Sequence, residues 1–188
     1  MSRAIDELTR EHQVIEGVLG SLERFAAGPG TAAEGARETL GRYVRFFREF
    51  ADRCHHGKEE DRLLPRMVRH GLPADEGPRL KVLDEHATGR AHVRELAALA
   101  EGRGPLSPAE LERLKTTVRG YAGLLHDHIA KEDQLLFPMA EKTIPAGELE
   151  ELADDFARFE RDVMGPRGHE ELHALAMALL AAHPATRA

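Results

Sequence analysis

Residues 55–61 read HHGKEED. Two adjacent histidines precede two adjacent glutamates by four places, so His55 pairs with Glu59 and His56 with Glu60 at a spacing that shares one helix face. Imidazole nitrogen and carboxylate oxygen without thiolate suit iron or manganese better than a soft metal. A second segment repeats the first. HIAKEDQLLFP at 128–138 aligns with HHGKEEDRLLP at 55–65 when Pro138 is set on Pro65; Lys131 then falls on Lys58, Glu132 on Glu59 and His128 on His55. The repeat selects His55 and Glu59 and leaves His56 and Glu60 as shoulder residues. Helix angle leans the same way: at about 100° per residue, His55 lies about 80° from Phe47 and His56 about 180°.

Helices must carry these pairs. Ala, Leu, Glu and Arg are abundant and β-branched residues scarce, a helix-forming composition. The first helix, 3–27, has its seam at Ile5, Leu8, His12, Ile15, Leu19 and Leu22, alternating steps of three and four. GPG at 28–30 ends it, and Thr31 to Glu34 reads as a capping box opening the second helix. That helix runs through Leu40, Val44, Phe47 and Ala51 into the HHGKEED stretch, is bent near its end by Pro65, and closes at HGLP, 70–73. The third starts near Asp75 with a seam of Val82, His86, Gly89, Val93 and Leu96. The fourth is opened by SPAE, 107–110, and follows Leu111, Leu114, Val118, Tyr121, Leu125, His128, Glu132, Leu135 and Met139. A fifth helical region spans about 148–183 and is interrupted at GPRG, 165–168. The fold class is all-α: an antiparallel up-and-down four-helix bundle over residues 1–145, with a helical extension, 146–188, packed on it.

His12, His86, His128 and Glu132 sit in phase with the leucines. One buried histidine is an ordinary hydrogen-bonded core residue. A carboxylate in the seam is different, because burying it unpaired costs several kcal/mol. No Lys or Arg shares that face nearby, whereas histidines do, and a metal is the simplest cation to meet it. Glu59 and His86 also fall at similar depth, about eleven and twelve residues either side of the 70–73 turn. His12 and His55 match across 28–30 only if part of the chain after Thr31 is loop or overhang. Four imidazoles and two carboxylates exceed one zinc-like site of about four ligands. They suit two metals, with Glu59 and Glu132 bridging and coordination positions left open.

The order His, His-x-x-x-Glu, His, His-x-x-x-Glu, carried by EH at 11–12, HHGKEEDRLLP at 55–65, DEH at 84–86 and HIAKEDQLLFP at 128–138, resembles the hemerythrin-like, or HHE cation-binding, family over about residues 1–142. The resemblance implies a four-helix bundle holding two non-haem iron ions, oxo- or hydroxo-bridged when oxidised. It also implies binding or sensing of oxygen, response to nitric oxide, or peroxide chemistry. Oxygen-carrying members have a further histidine four residues after the third ligand, where this chain has Arg90, and end their last motif in aspartate with one extra residue, where this chain has Glu132. The match is closer to a six-ligand branch linked to oxidative and nitrosative stress.

A formal charge of −7 speaks against general nucleic-acid binding and gives no basic patch for membranes. No apolar run approaches the roughly 18 residues of a membrane span, and the amphipathic start MSRAIDELTREH is not read as a signal peptide. One cysteine, Cys54, excludes an internal disulfide framework and fits a reducing compartment, so a cytoplasmic location is expected. Cys54 reads as a small buried hydrophobe, with a thiol lining the metal cavity as the sharper reading. Glu85 is either an outer partner of a ligand or an ordinary charge. His56, His92 and His126 read as surface residues, Glu16 as solvated, and Tyr43 and Tyr121 as core. HEELH at 169–173 spells a zinc-protease motif but lacks a third ligand, with Leu179 at the metzincin position, and reads as an exposed helix face.

Two functions follow. The first is a redox-active di-iron protein that turns over a small ligand, by peroxide disproportionation or nitric oxide peroxidation, with no general acid or base evident besides the metals. The second is a sensor or reservoir of oxygen, iron or nitric oxide without turnover. A plain bundle with buried polar residues is the structural alternative.

Overall fold

The computed structural model describes residues 1–165 and 167–184. Six helices and no strand occur among them: α1 (Arg3–Ala27), α2 (36–69), α3 (Pro78–Ala100), α4 (108–143), α5 (Ala146–Met164) and α6 (Gly168–Ala182). The first four form the bundle. α1 packs on α2 and α4, α2 on α3, and α3 on α4, so the ring is closed. α5 and α6 lie on the outer faces of α1 and α2. Gly57 is what lets α5 approach α2, since a Cβ there would come within 2.7 Å of the Phe159 ring.

Local signals set most boundaries. Ser2 caps α1, and Ser107 with Glu110 forms a reciprocal capping box at the start of α4. Thr31 to Glu34 does not open α2. Thr31 belongs to a short 3-10 turn, Pro29–Ala32, and donates its hydroxyl to Gly28 O (2.9 Å); α2 starts only at Ala36, after Gly35 at φ 88°. The delay has a simple cause: only glycine adopts that left-handed turn cheaply, so the chain reverses there and helix follows. Residues 33–35, a bend and a turn, are the part of the chain after Thr31 that is not helix. α3 likewise starts at Pro78, after Gly77 at φ 72°.

α2 and α4 are not wound as α-helix throughout. α2 carries π-helical turns over Phe47–His56 and Glu59–Leu63, and α4 over Glu132–Leu136. Glu59 O accepts from Leu64 N and Glu132 O from Phe137 N, each five residues on, immediately before Pro65 and Pro138. Proline has no N–H and its ring collides with the carbonyl four residues back; a wider turn makes room for it. The prolines of the repeat thus mark widened turns at the two glutamates, and α2 continues past Pro65 to Arg69.

The apolar core is split into two clusters. One holds Ile15, Leu19, Phe47, Val93, Tyr121 and Ile129; the other holds Ile5, Leu8, Leu63, Val82, Leu136 and Phe137. His12 falls between Leu8 and Ile15, His86 between Val82 and Val93, and Glu132 between Ile129 and Leu136. A polar layer therefore crosses the bundle between two apolar ends.

Candidate metal centre

All six residues singled out from the sequence are at most 2% exposed and converge in this layer. His12, on α1, has Nε2 3.2 Å from Glu132 Oε2. His55 Nε2 is 3.6 Å from Glu59 Oε1, and His86 Nε2 is 3.4 Å from Glu59 Oε2. His128 Nε2 is 3.2 Å from Glu132 Oε2 and 3.0 Å from His86 Nε2. Ligand atoms fall into two compact groups that share Glu59: His12, His55, Glu59 and Glu132 in one, and His56, Glu59, His86 and His128 in the other.

Each imidazole is aimed from behind by a carboxylate. Nδ1 of His12 is 2.8 Å from Asp133, of His55 2.9 Å from Glu11, of His86 2.7 Å from Glu60, and of His128 3.0 Å from Glu85. A carboxylate can only accept, so Nδ1–H is the donor in every case and Nε2 is left facing inward. This is the arrangement that orients metal-ligating histidines. It obeys the sequence repeat. Glu11 and Glu85 each precede a histidine of the site yet hold one from another helix, and Lys58 and Lys131 each fix that carboxylate at 2.6 Å. Glu85 is thus an outer partner, of His128 rather than of its neighbour His86. Glu11, Lys58, Glu60, Lys131 and Asp133 were not identified from the sequence as parts of the site. The doubled EH and KE(E/D) pieces of the repeat carried that signal.

The inner surface demands a cation. All four carboxylate oxygens of Glu59 and Glu132, and Nε2 of His12, are buried without a hydrogen bond. Each unmet oxygen is expensive in a low-dielectric interior. Burial and the neighbouring Glu59 carboxylate raise Glu132 above the usual carboxylate range, whereas burial of Glu59 is outweighed by His55 and His86, which hold it low. Burial opposes protonation of His12 and His86, but their carboxylate partners outweigh it and raise them to about 10 and about 9. Burial and the charge on His86 depress His128 to about 4. With both Nδ1 protons given to carboxylates, the facing Nε2 atoms of His86 and His128 need one cation between them, a proton or a metal ion. The donor set fits a metal.

His56 is not at the surface. It is 5% exposed, stacks on His86 with ring centroids 3.8 Å apart, and has Nδ1 3.3 Å from Asp52. The π-helical turn ending at His56 is the reason, since the angle of about 100° per residue that turned it outward holds only for an α-helix. Burial and the nearby imidazoles keep it neutral. Glu60 is no idle shoulder either, as it holds both His86 and Arg90. His126 and Glu16 are exposed, His92 is half-buried over Tyr121, and both tyrosines are core. Cys54 is buried with Sγ turned to Glu160, and burial pushes its thiol up. In HEELH, His173 is exposed and His169 half-buried with Nδ1 3.2 Å from Glu160. The grouping of Glu11, Glu160 and His169 is already served by the ammonium of Lys58, which donates to both carboxylates and to Glu7.

The family model of the hemerythrin HHE cation binding domain matches residues 3–140. The chain belongs to this family. Within the matched residues lie two buried histidine and glutamate clusters that could hold a metal ion. Among curated proteins, it is 22% identical over 173 residues to an uncharacterized protein of Mycobacterium tuberculosis and to one of Mycobacterium bovis. The alignment takes in 90% of this chain, which spans 66% of the length of those relatives. No solved structure matches. Among the described residues, no helix is long and apolar enough to cross a membrane.

Proposed function

We propose that this hemerythrin HHE protein is a non-haem di-iron protein whose ions are held by His12, His55, Glu59, His86, His128 and Glu132. It binds or reacts with a small ligand, O2, H2O2 or NO, in an oxidative or nitrosative stress role. The observation that carries this reading is the pair of glutamates: four buried carboxylate oxygens without a hydrogen bond, faced by the Nε2 atoms of histidines aimed from behind. The two ligand groups share Glu59, as a bridging carboxylate would, and nitrogen with oxygen donors suits iron. Bound iron supplies reversible one-electron chemistry and open positions for a small ligand; the protein supplies a dry, fixed cage. A cavity of about 300 Å3 reaches His128 and Glu132 past Val82, Leu135, Leu136 and Met139, a lining suited to a small, weakly polar molecule. The absence of a second histidine at Arg90, and Glu132 as the last carboxylate, support the six-ligand branch. The lone buried cysteine fits a reducing cytoplasm.

A second reading, a sensor or reservoir without turnover, is favoured by the commitment of the surrounding acids. Glu11, Glu60, Glu85 and Asp133 each hold an imidazole. Anaerobic titration of apo protein with ferrous iron tests the common part: two ions per chain are expected, and a chain that takes up none overturns both readings. Spectra that revert when oxygen is removed select the sensor. Sustained peroxide consumption, lost in His128→Ala and Glu132→Ala, selects the enzyme.

A further inference from the structure

We infer that His56 is a fifth imidazole ligand, so that the two metal positions are unequal: His56, His86 and His128 serve one, His12 and His55 the other. This rests on the di-metal reading above and goes beyond its six ligands.

His56 carries every mark of the other four histidines. It is buried in the polar layer, its Nδ1 is on a carboxylate, and one of its ring nitrogens is grouped with ligand atoms of Glu59, His86 and His128, all within 4.8 Å of one another. With Nδ1 given to Asp52, the nitrogen left for a metal is Nε2. The carboxylate behind it is itself fixed. Arg90 Nε donates to Asp52 Oδ1 (2.7 Å), and Arg90 Nη2 donates to Glu60 Oε1 (2.6 Å), the same oxygen that holds His86. One guanidinium therefore orients the two stacked rings together.

The device exists in only one half of the repeat. The residue that corresponds to His56 is Ile129, which is buried in the apolar core. Asp52 corresponds to Leu125, also core, and Arg90 to Glu16, which is exposed. Ring, carboxylate and guanidinium are all present on one side and all missing on the other. With both glutamates shared, the first position has five protein donors and the second four.

Cobalt(II) substitution tests this without any variant. A coordinated imidazole whose Nδ1–H is given to a buried carboxylate contributes one exchangeable, hyperfine-shifted proton resonance. Wild-type protein holding two Co2+ ions is expected to show five such resonances, and His56→Asn one fewer. Asp52→Asn, which keeps the ring but loosens its support, is expected to weaken one of the two Co2+ binding steps by about 10–100-fold. A protein that takes up two Co2+ ions but shows four resonances overturns the inference alone. One that takes up none overturns the reading beneath it.

Discussion

The ammonium of Lys58 lies 2.6 Å from Oε1 of Glu11, in a position with no solvent exposure, and the other oxygen of that carboxylate holds His55. Glu7 and Glu160 accept from the same ammonium. Burial alone would depress Lys58; the surrounding carboxylates outweigh it and hold the group charged. Replacing Lys58 with Met leaves three converging carboxylates without their cation. Breaking a buried pair by removing one partner costs about 3–5 kcal/mol. Urea denaturation of Lys58→Met is expected to show a loss of that size, and a loss below about 1 kcal/mol would mean that the network is not needed for folding.

Lys131 holds the equivalent place on Glu85, Nζ to Oε1 2.6 Å, but its side chain is 47% exposed. Its ion pair is screened, so Lys131→Met should cost less than about 1 kcal/mol of stability. Its effect belongs on the metal, through Glu85 and His128. Affinity for one of two ions should fall by about 10–100-fold, read by competition with a chelator. Equal stability losses in the two lysine variants would show that burial is not what separates them.

The repeat made these lysines a pair, yet it did not give their partners. The six-residue convergence was legible because seam phase and the two aligned segments both depend on sequence spacing. Glu11 and Asp133 were harder to find, since each neighbours one site residue in the chain and serves another across the bundle. His56 was misread for a geometric reason. Helical angle counting assumes α-helix, and α2 is π-wound from Phe47 to His56. The prolines after Glu59 and Glu132 marked widened turns, but no comparable signal marks the longer one. The late start of α2 shows the converse case, in which a local capping pattern at Thr31 yields to the turn at Gly35.

Metal uptake should be strongly pH-dependent. In the metal-free chain Glu132 is raised by burial and by Glu59, and His12 and His86 are raised to about 10 and about 9 by their carboxylates despite burial. These groups therefore hold protons near neutral pH and must lose them to bind a metal. The sign follows: binding releases protons, so affinity rises with pH and falls as the medium is acidified. For zinc, which has no redox chemistry, affinity should rise by about tenfold per pH unit for each proton released between roughly pH 6 and 8. Calorimetry in two buffers of different ionisation enthalpy counts those protons directly. An affinity flat across that window would show that the donors are already bare.

Gly57 gives the last test, of how α5 is seated. Alanine in a helix interior is favoured over glycine by about 1 kcal/mol, so Gly57→Ala would stabilise α2 considered alone. Here the new Cβ would lie 2.7 Å from the ring of Phe159, which is buried. Overpacking of this kind costs about 1–3 kcal/mol, more than the propensity gain. The net expectation is destabilisation. It should also weaken metal binding, because Glu160, next to Phe159, is one of the carboxylates on Lys58. Shortening the ring removes the clash while keeping the propensity term. In a Phe159→Leu background, Gly57→Ala should therefore change sign and stabilise by up to about 1 kcal/mol. Thermal or urea denaturation of the four chains in that cycle reads the outcome. The same sign in both backgrounds would mean that Phe159 is not what requires glycine at position 57.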